Sequence, residues 1–131
     1  MEFYIGGYAQ GKLAYVKEKH KDAELTVTDG AELSLSGDVK TEEGTYPLID
    51  HFHLWVKRLL SAGKDPYEAA ERLVNRHPRC IIISDETGNG IVPVEKAERA
   101  YRERLGRIQI MLAKEAERVE RVICGIGQKL K

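Results

Sequence analysis

The chain has 131 residues, the length of a single domain, and its hydrophobic content of 42% is typical of a folded globular protein. Basic and acidic residues number 21 each, so the formal net charge is +0, and this balance favours neither a nucleic-acid partner nor a charged membrane surface. The apolar run at the N-terminus is too short for a signal peptide, and no stretch of the sequence is long enough for a membrane span. We therefore expect a cytoplasmic protein.

The first part of the chain predicts strands alternating with helices. In chain order we expect a strand at 2–6, a helix at 11–20, a strand at 23–28, a loop at 31–44, a strand at 45–49 and helices at 51–62 and 66–76. Gly63 closes the second of these helices, and Asp65 with Pro66 opens the third.

The second part continues the alternation. We expect a buried strand at 80–84, a glycine-rich loop at 85–90, a long helix from Glu95 to about Val119 and a last strand at 121–125. Both cysteines, Cys80 and Cys124, stand in apolar runs and are interpreted as small buried thiols, since two lone cysteines do not make a zinc site.

Alternating strands and helices, with strands that are almost wholly apolar, predict an α/β fold of three layers, in which a mostly parallel sheet carries helices on both faces. Ligands of such sheets bind where the strands end. This rule brings several polar segments to one edge, namely Gly6–Lys12, Thr28 with Asp29, Asp50, Asp85 with Glu86, and Gly125.

A candidate phosphate-binding loop joins the first strand to the first helix. It consists of Gly6, Gly7, Tyr8, Ala9, Gln10, Gly11 and Lys12, followed by Leu13 where the pattern has serine or threonine. Glycines allow backbone N–H groups to converge on a phosphate, and the lysine neutralises its oxygens. Without the hydroxyl a direct magnesium ligand is missing. The alternative is an ordinary strand-to-helix turn with a solvated lysine.

Four further side chains, those of Asp50, His51, His53 and Glu86, are candidates near this edge. Asp50 ends a strand where a phosphate-binding protein orders magnesium, although a plain helix cap is the alternative. His51 and His53 lie two residues apart on the predicted helix, so they cannot chelate one metal together, and at most one faces the cleft. Glu86 follows a strand and is a candidate for a ligand contact or for simple turn chemistry.

These motifs resemble those of the adenosylcobinamide kinase/adenosylcobinamide-phosphate guanylyltransferase family. The run from Ser84 to Pro93 is similar to the family's N-E-V-G-x-G-I-V-P. The likeness extends to Tyr101–Arg107 (F-R-D-x-x-G-R), to Val122–Lys131 (V-x-G-I-G-x-x-K) and to the loop at Gly6–Lys12 (G-G-A-R-S-G-K-S).

The resemblance implies a P-loop fold, a homo-oligomer (a trimer) and a place in cobalamin assembly. The family phosphorylates adenosylcobinamide and transfers GMP through a guanylylated histidine, so ATP or GTP, Mg²⁺ and a corrinoid substrate are implied. Lys12 and Asp50 would be catalytic, with Asp50 holding the metal. The loop residues Gly6 to Leu13, together with Thr28 and Asp29, would bind the nucleotide, and Glu86, Gly88, Gly90 and His53 would contact the corrinoid.

Two departures from the family pattern leave three hypotheses about function. Leu13 replaces the magnesium-binding serine, and residues 30–49 contain no histidine, whereas the family's guanylylated histidine lies in the corresponding, longer segment. The guanylyltransferase step is therefore expected to be lost. The first hypothesis is an adenosylcobinamide kinase-like enzyme, the second a non-catalytic nucleotide- or corrinoid-binding regulator, and the third an oligomeric scaffold subunit without a ligand.

Overall fold

The computed structural model describes residues 1–87 and 95–131. Its elements are, in chain order, β1 (Glu2–Gly6), α1 (Lys12–Lys19), β2 (Leu25–Asp29), β3 (Tyr46–Asp50), α2 (Phe52–Ser61), α3 (Pro66–Arg76), β4 (Ile81–Asp85), α4 (Lys96–Glu115), β5 (Arg118–Ile123) and β6 (Ile126–Lys129). The strands form one sheet in the order β2-β3-β4-β1-β5-β6, in which β6 alone of these six is antiparallel to its neighbour. The predicted mostly parallel α/β fold is confirmed.

The two faces of the sheet carry separate hydrophobic cores because successive strand residues point to opposite faces. Phe3 packs with buried side chains of α2, α3 and α4. Its neighbour Tyr4 faces the other way and packs against Val16 of α1. The three predicted layers are therefore present, with three helices on one face and a single helix on the other. Among the described residues, no helix is long and apolar enough to cross a membrane.

Strand register aligns the carboxyl ends of the first four strands. Gly6, the last residue of β1, is paired with Asp85 at the end of β4. Asp29 at the end of β2 is paired in the same way with Asp50 at the end of β3. The expected gathering of polar strand ends at one edge is thus observed, and β1, from which the phosphate loop starts, lies in the middle of the sheet.

The C-terminal part differs from the prediction in where the long helix ends. α4 stops at Glu115, and Ala116 already has extended backbone angles. The amide of Glu117 donates to the carbonyl of Met1 at 2.9 Å, and β5 then pairs alongside β1. Apolar spacing carried the predicted helix on to Val119, but pairing with β1 turns this segment into a strand.

The prediction for Cys124 was also wrong. Cys124 and Gly125 both have positive φ, 50° and 72°, and form the two-residue turn between β5 and the unpredicted strand β6. Such turns suit the twist of an antiparallel hairpin. The Cys124 side chain is therefore exposed, whereas Cys80 is buried as expected.

Candidate functional site

The glycine-rich loop has backbone features that require its glycines. Gly11 caps α1 with a left-handed φ of 79°, and its carbonyl accepts the first helical hydrogen bond from the amide of Tyr15 at 3.0 Å. A Cβ on Gly6 would stand 2.4 Å from the carbonyl oxygen of Val122. Because Gly11 has no side chain to cap the first amides of α1, these amides and the helix dipole form a site suited to an anion.

Lys12 lies inside the loop and is only 8% exposed. Its Nζ donates to the carbonyl oxygen of Gly7 at 2.7 Å and lies 2.8 Å from Oδ1 of Asp85. The expectation of a solvated lysine, which belonged to the alternative interpretation, is therefore wrong. A buried ammonium enclosed by its own loop lies at the position where a phosphate-binding loop requires positive charge.

Asp85 contacts both Lys12 and His53. The sequence placed this residue at the sheet edge, but it was not predicted to be a site residue. Its amide donates to Nδ1 of His53 at 3.1 Å, and its Oδ2 lies 3.4 Å from Nε2 of the same ring. Burial lowers the pKa of His53, although the Asp85 carboxylate opposes this effect. Since Nδ1 accepts a hydrogen bond, the ring is neutral and carries its proton on Nε2, facing Asp85.

Asp50 and His51 form the neighbouring part of the site. Asp50 is 9% exposed, and its Oδ1 accepts a hydrogen bond from the amide of His51 at 2.9 Å. The residue that caps α2 is His51 rather than Asp50, and its φ of 52° takes it out of the helix. Its Nδ1 lies 3.2 Å from Oδ1 of Asp29 and 3.7 Å from Oδ2 of Asp50.

His51 and His53 both line the same cavity, and their ring centroids are 5.9 Å apart. The expectation that at most one of them faces the cleft was wrong. It assumed that both residues are helical, whereas the left-handed backbone of His51 redirects its side chain.

The cavity beside the loop has a volume of about 550 Å³. It is lined by Tyr8, Ala9, Gln10, Gly11, Lys12, Leu13, Ala14, Asp50, His51, His53, Leu54 and Asp85. The described residues contain no group of three or more His, Cys, Asp or Glu side chains that could hold a metal ion. The carboxylates of Asp50 and Asp85 are nevertheless a suitable set for Mg²⁺, which is usually bound by one or two carboxylates together with water and substrate phosphates.

The tip of the loop is held by the β5–β6 turn, a contact that sequence reasoning missed. The carbonyl and the side-chain Oε1 of Gln10 accept hydrogen bonds from the amides of Gly125 and Cys124, each at 2.8 Å. Gly125 had been placed at this edge as a strand end. Its role here depends on a hairpin that apolar periodicity does not reveal.

Other predicted site residues lie away from the cavity lining. Asp29 accepts a hydrogen bond from the amide of Ala31 at 2.9 Å and contacts His51, which lines the cavity, while Thr28 lies within β2. Glu86 accepts two hydrogen bonds from Arg121 and lines a separate cavity of about 450 Å³. Gly88 and Gly90 lie outside the described residues.

A glycine loop between the central strand and a helix, a buried lysine beside it and carboxylates at the ends of adjacent strands are features of the P-loop class of α/β proteins. Within this class, the family model described as cobinamide kinase / cobinamide phosphate guanyltransferase matches residues 14–130, and the chain belongs to this family. The resemblance is confirmed. Because the match begins at residue 14, the interpretation of the loop depends on its geometry.

Two relatives are similar over part of their length. The bifunctional adenosylcobalamin biosynthesis protein CobP of Pseudomonas aeruginosa is 32% identical over 99 residues, which are 70% of this chain and 57% of that protein. The bifunctional adenosylcobalamin biosynthesis protein CobU of Escherichia coli is 34% identical over 84 residues, 52% of this chain and 46% of that protein. The chain thus matches about half the length of these relatives.

Proposed function

We propose that this protein is a nucleotide-dependent kinase that transfers a phosphoryl group to the hydroxyl of adenosylcobinamide. The observation that carries the proposal is the buried ammonium of Lys12, enclosed by a glycine loop and open to a cavity with two strand-end carboxylates. Membership of the cobinamide kinase family supports the corrinoid as the acceptor. The activity rests on positioning and electrostatics, which dominate phosphoryl transfer.

Each part of the loop has a role in this proposal. Backbone amides of the loop and of the first turn of α1 bind the β- and γ-phosphates of ATP or GTP, and Lys12 neutralises their oxygens. Asp50 and Asp85 would hold Mg²⁺ through the hard oxygen ligands that it prefers, and the cation would neutralise charge on the phosphates. His53 and Glu86 as corrinoid contacts remain predictions, as do Thr28 and Asp29 as nucleotide contacts.

We further propose that the guanylyltransferase step is absent, because residues 30–49 contain no histidine that could carry GMP. Incubation with GTP labelled at the α-phosphate, followed by denaturation, should leave no label on the protein. Label that is retained and lost in acid would reveal a guanylylated histidine and overturn this part of the proposal.

The same proposal places the protein in the cytoplasm as a homo-oligomer, a trimer by its family resemblance. Multi-angle light scattering of the purified chain tests the oligomeric state. A mass corresponding to a single chain of 14.8 kDa at micromolar concentration would contradict it.

The decisive experiment is a turnover assay with adenosylcobinamide, Mg²⁺ and ATP or GTP. Lys12→Ala should lower turnover at least about 100-fold, because it removes the positive charge that the bound phosphates require. Lys17→Ala is the matched control, since Lys17 is an exposed lysine on the same helix. An inactive parent protein, or a Lys12→Ala variant as active as Lys17→Ala, would refute the proposed kinase.

A second candidate function, a non-catalytic nucleotide-binding regulator, is favoured by Leu13, which lines the cavity without a hydroxyl for magnesium. Leu13→Ser should raise Mg²⁺-dependent phosphorylation if the missing hydroxyl limits an active kinase. Nucleotide binding without turnover in both the parent and Leu13→Ser would favour the regulator.

A further inference from the structure

We propose that the ion pair between Asp85 and Lys12 must break before a nucleotide binds, and that it breaks when a divalent cation accompanies the nucleotide and replaces Lys12 beside Asp85. We call this ion pair the lock. The inference rests on the proposed nucleotide binding and adds to it a rule for which form of the nucleotide binds. It concerns the ion pair between Lys12 and Asp85.

The lock is visible in the contacts of Lys12. Its Nζ lies 2.8 Å from Oδ1 of Asp85 and 2.7 Å from the carbonyl oxygen of Gly7, so the ammonium group already contacts two oxygens of the protein. Strand register keeps this pair together, because Gly6 at the start of the loop is paired with Asp85. The Asp85 carboxylate thus occupies the neighbourhood of Lys12 that a phosphate oxygen would use.

Removing Lys12 from this pair leaves Asp85 without a cation. Lys12 is the only lysine or arginine among the described residues that line the cavity. The other ion-pair neighbour of the carboxylate found in the described part of the chain is His53, whose ring is neutral because its Nδ1 accepts a hydrogen bond from the Asp85 amide. A nucleotide without metal would therefore place its phosphates beside an uncompensated carboxylate, which is unfavourable in a partly buried site.

A nucleotide complexed with Mg²⁺ avoids this penalty. Asp85 would hold the cation, whose positive charge would offset that of the carboxylate, and Lys12 would be free to donate its hydrogen bonds to phosphate oxygens. The two carboxylates provide the oxygen donors that suit Mg²⁺. This exchange of partners would also supply a protein ligand for the cation in a loop where Leu13 offers none.

Isothermal titration calorimetry of ATP and of GTP, each with Mg²⁺ and with EDTA, tests the lock without any need for turnover. The parent protein should bind the metal complex at least about tenfold more tightly than the metal-free nucleotide. In Asp85→Asn the two affinities should approach each other, because metal-free binding becomes tighter by about the same factor once Lys12 is released.

Two matched variants isolate the role of the ion pair. Asp50→Asn removes another carboxylate that lines the cavity, and no hydrogen bond or ion pair is found between Asp50 and Lys12 in the described residues. Asp22→Asn removes an exposed carboxylate that does not line the cavity. Only Asp85→Asn should tighten metal-free binding substantially. Asp85→Ser should do the same and serves as the second variant if the asparagine variant does not fold.

The outcomes separate the lock from the proposed function. If the parent binds both forms equally, or if Asp50→Asn tightens metal-free binding as much as Asp85→Asn, the lock is refuted while nucleotide binding stands. If tighter metal-free binding does not appear in the Asp85 variants, the lock is likewise refuted. If the parent binds no nucleotide under either condition, the proposed function fails and the lock fails with it.

Discussion

Replacing Glu120 with glutamine tests how the helix that follows the phosphate loop is attached to the sheet. Glu120 lies on β5 and is 3% exposed. Its carboxylate accepts hydrogen bonds from the hydroxyl of Tyr15 at 2.6 Å and from Arg118 at 3.0 Å, and it lies 2.9 Å from Nζ of Lys19. Because Tyr15 and Lys19 both belong to α1, this carboxylate ties the helix to the strand.

The pKa of Glu120 gives the magnitude of the effect. Burial alone raises it, but hydrogen bonds from Lys19, Tyr15 and Arg118 outweigh burial and lower the pKa from 4.5 to about 2. Such a fall corresponds to about 3 kcal/mol of native-state stability at neutral pH. Because the pKa is lower in the folded state, this contribution is present above pH 4.5 and disappears as the pH falls towards 2.

Urea denaturation followed by circular dichroism measures this contribution. Glu120→Gln should lower the free energy of unfolding by about 3 kcal/mol at pH 7, and the difference from the parent should shrink by about 1 kcal/mol or more at pH 3.5. Glu117→Gln, a change of an exposed glutamate on the same segment, should leave stability within about 0.5 kcal/mol of the parent. A difference that is absent at pH 7, or that stays constant down to pH 3.5, would refute the reasoning.

Two further predictions concern the loop glycine and the thiols. Gly6→Ala should lower the free energy of unfolding by about 2 kcal/mol or more, because its Cβ would meet the Val122 carbonyl oxygen at 2.4 Å. Gly106→Ala in α4, with open space around the new Cβ, should raise it by about 0.5–1 kcal/mol, and equal effects in urea denaturation would contradict both estimates. A disulfide-exchange reagent should react with Cys124 alone in the native protein, because Cys80 is buried and burial raises the pKa of its thiol to about 12. Rapid reaction of both thiols before denaturant is added would contradict the burial of Cys80 in the native protein.

Local patterns were sufficient for most of the fold. Apolar runs predicted β1 to β5, and the helical spacing, with Pro66 at the start of α3, predicted the helices with small errors at their ends. These features depend on neighbours in the chain, which periodicity detects. The end of α4 was missed because Glu117 is held by Met1, a contact between the two ends of the described chain.

The same distinction between local and long-range features applies to the candidate site. The spacing of Gly6, Gly11 and Lys12 was visible as a motif, and Asp50 was recognised as a strand end, because each is a local feature of the sequence. The pairing of Lys12 with Asp85 was not visible, since it depends on the register between β1 and β4. The position of His51 was missed as well, because its left-handed backbone interrupts the helical pattern that was expected there.

Sequence alone was therefore enough to assign an α/β fold, a phosphate-loop motif with an unusual leucine and the family resemblance, since all of these reside in residue order and spacing. The burial of Lys12, its partner Asp85 and the contact of Gln10 with the β5–β6 turn came from the packing of strands that are distant in the chain. The physical reason is that a buried charge must be neutralised by whatever group the fold brings within reach, and strand pairing decides which group that is.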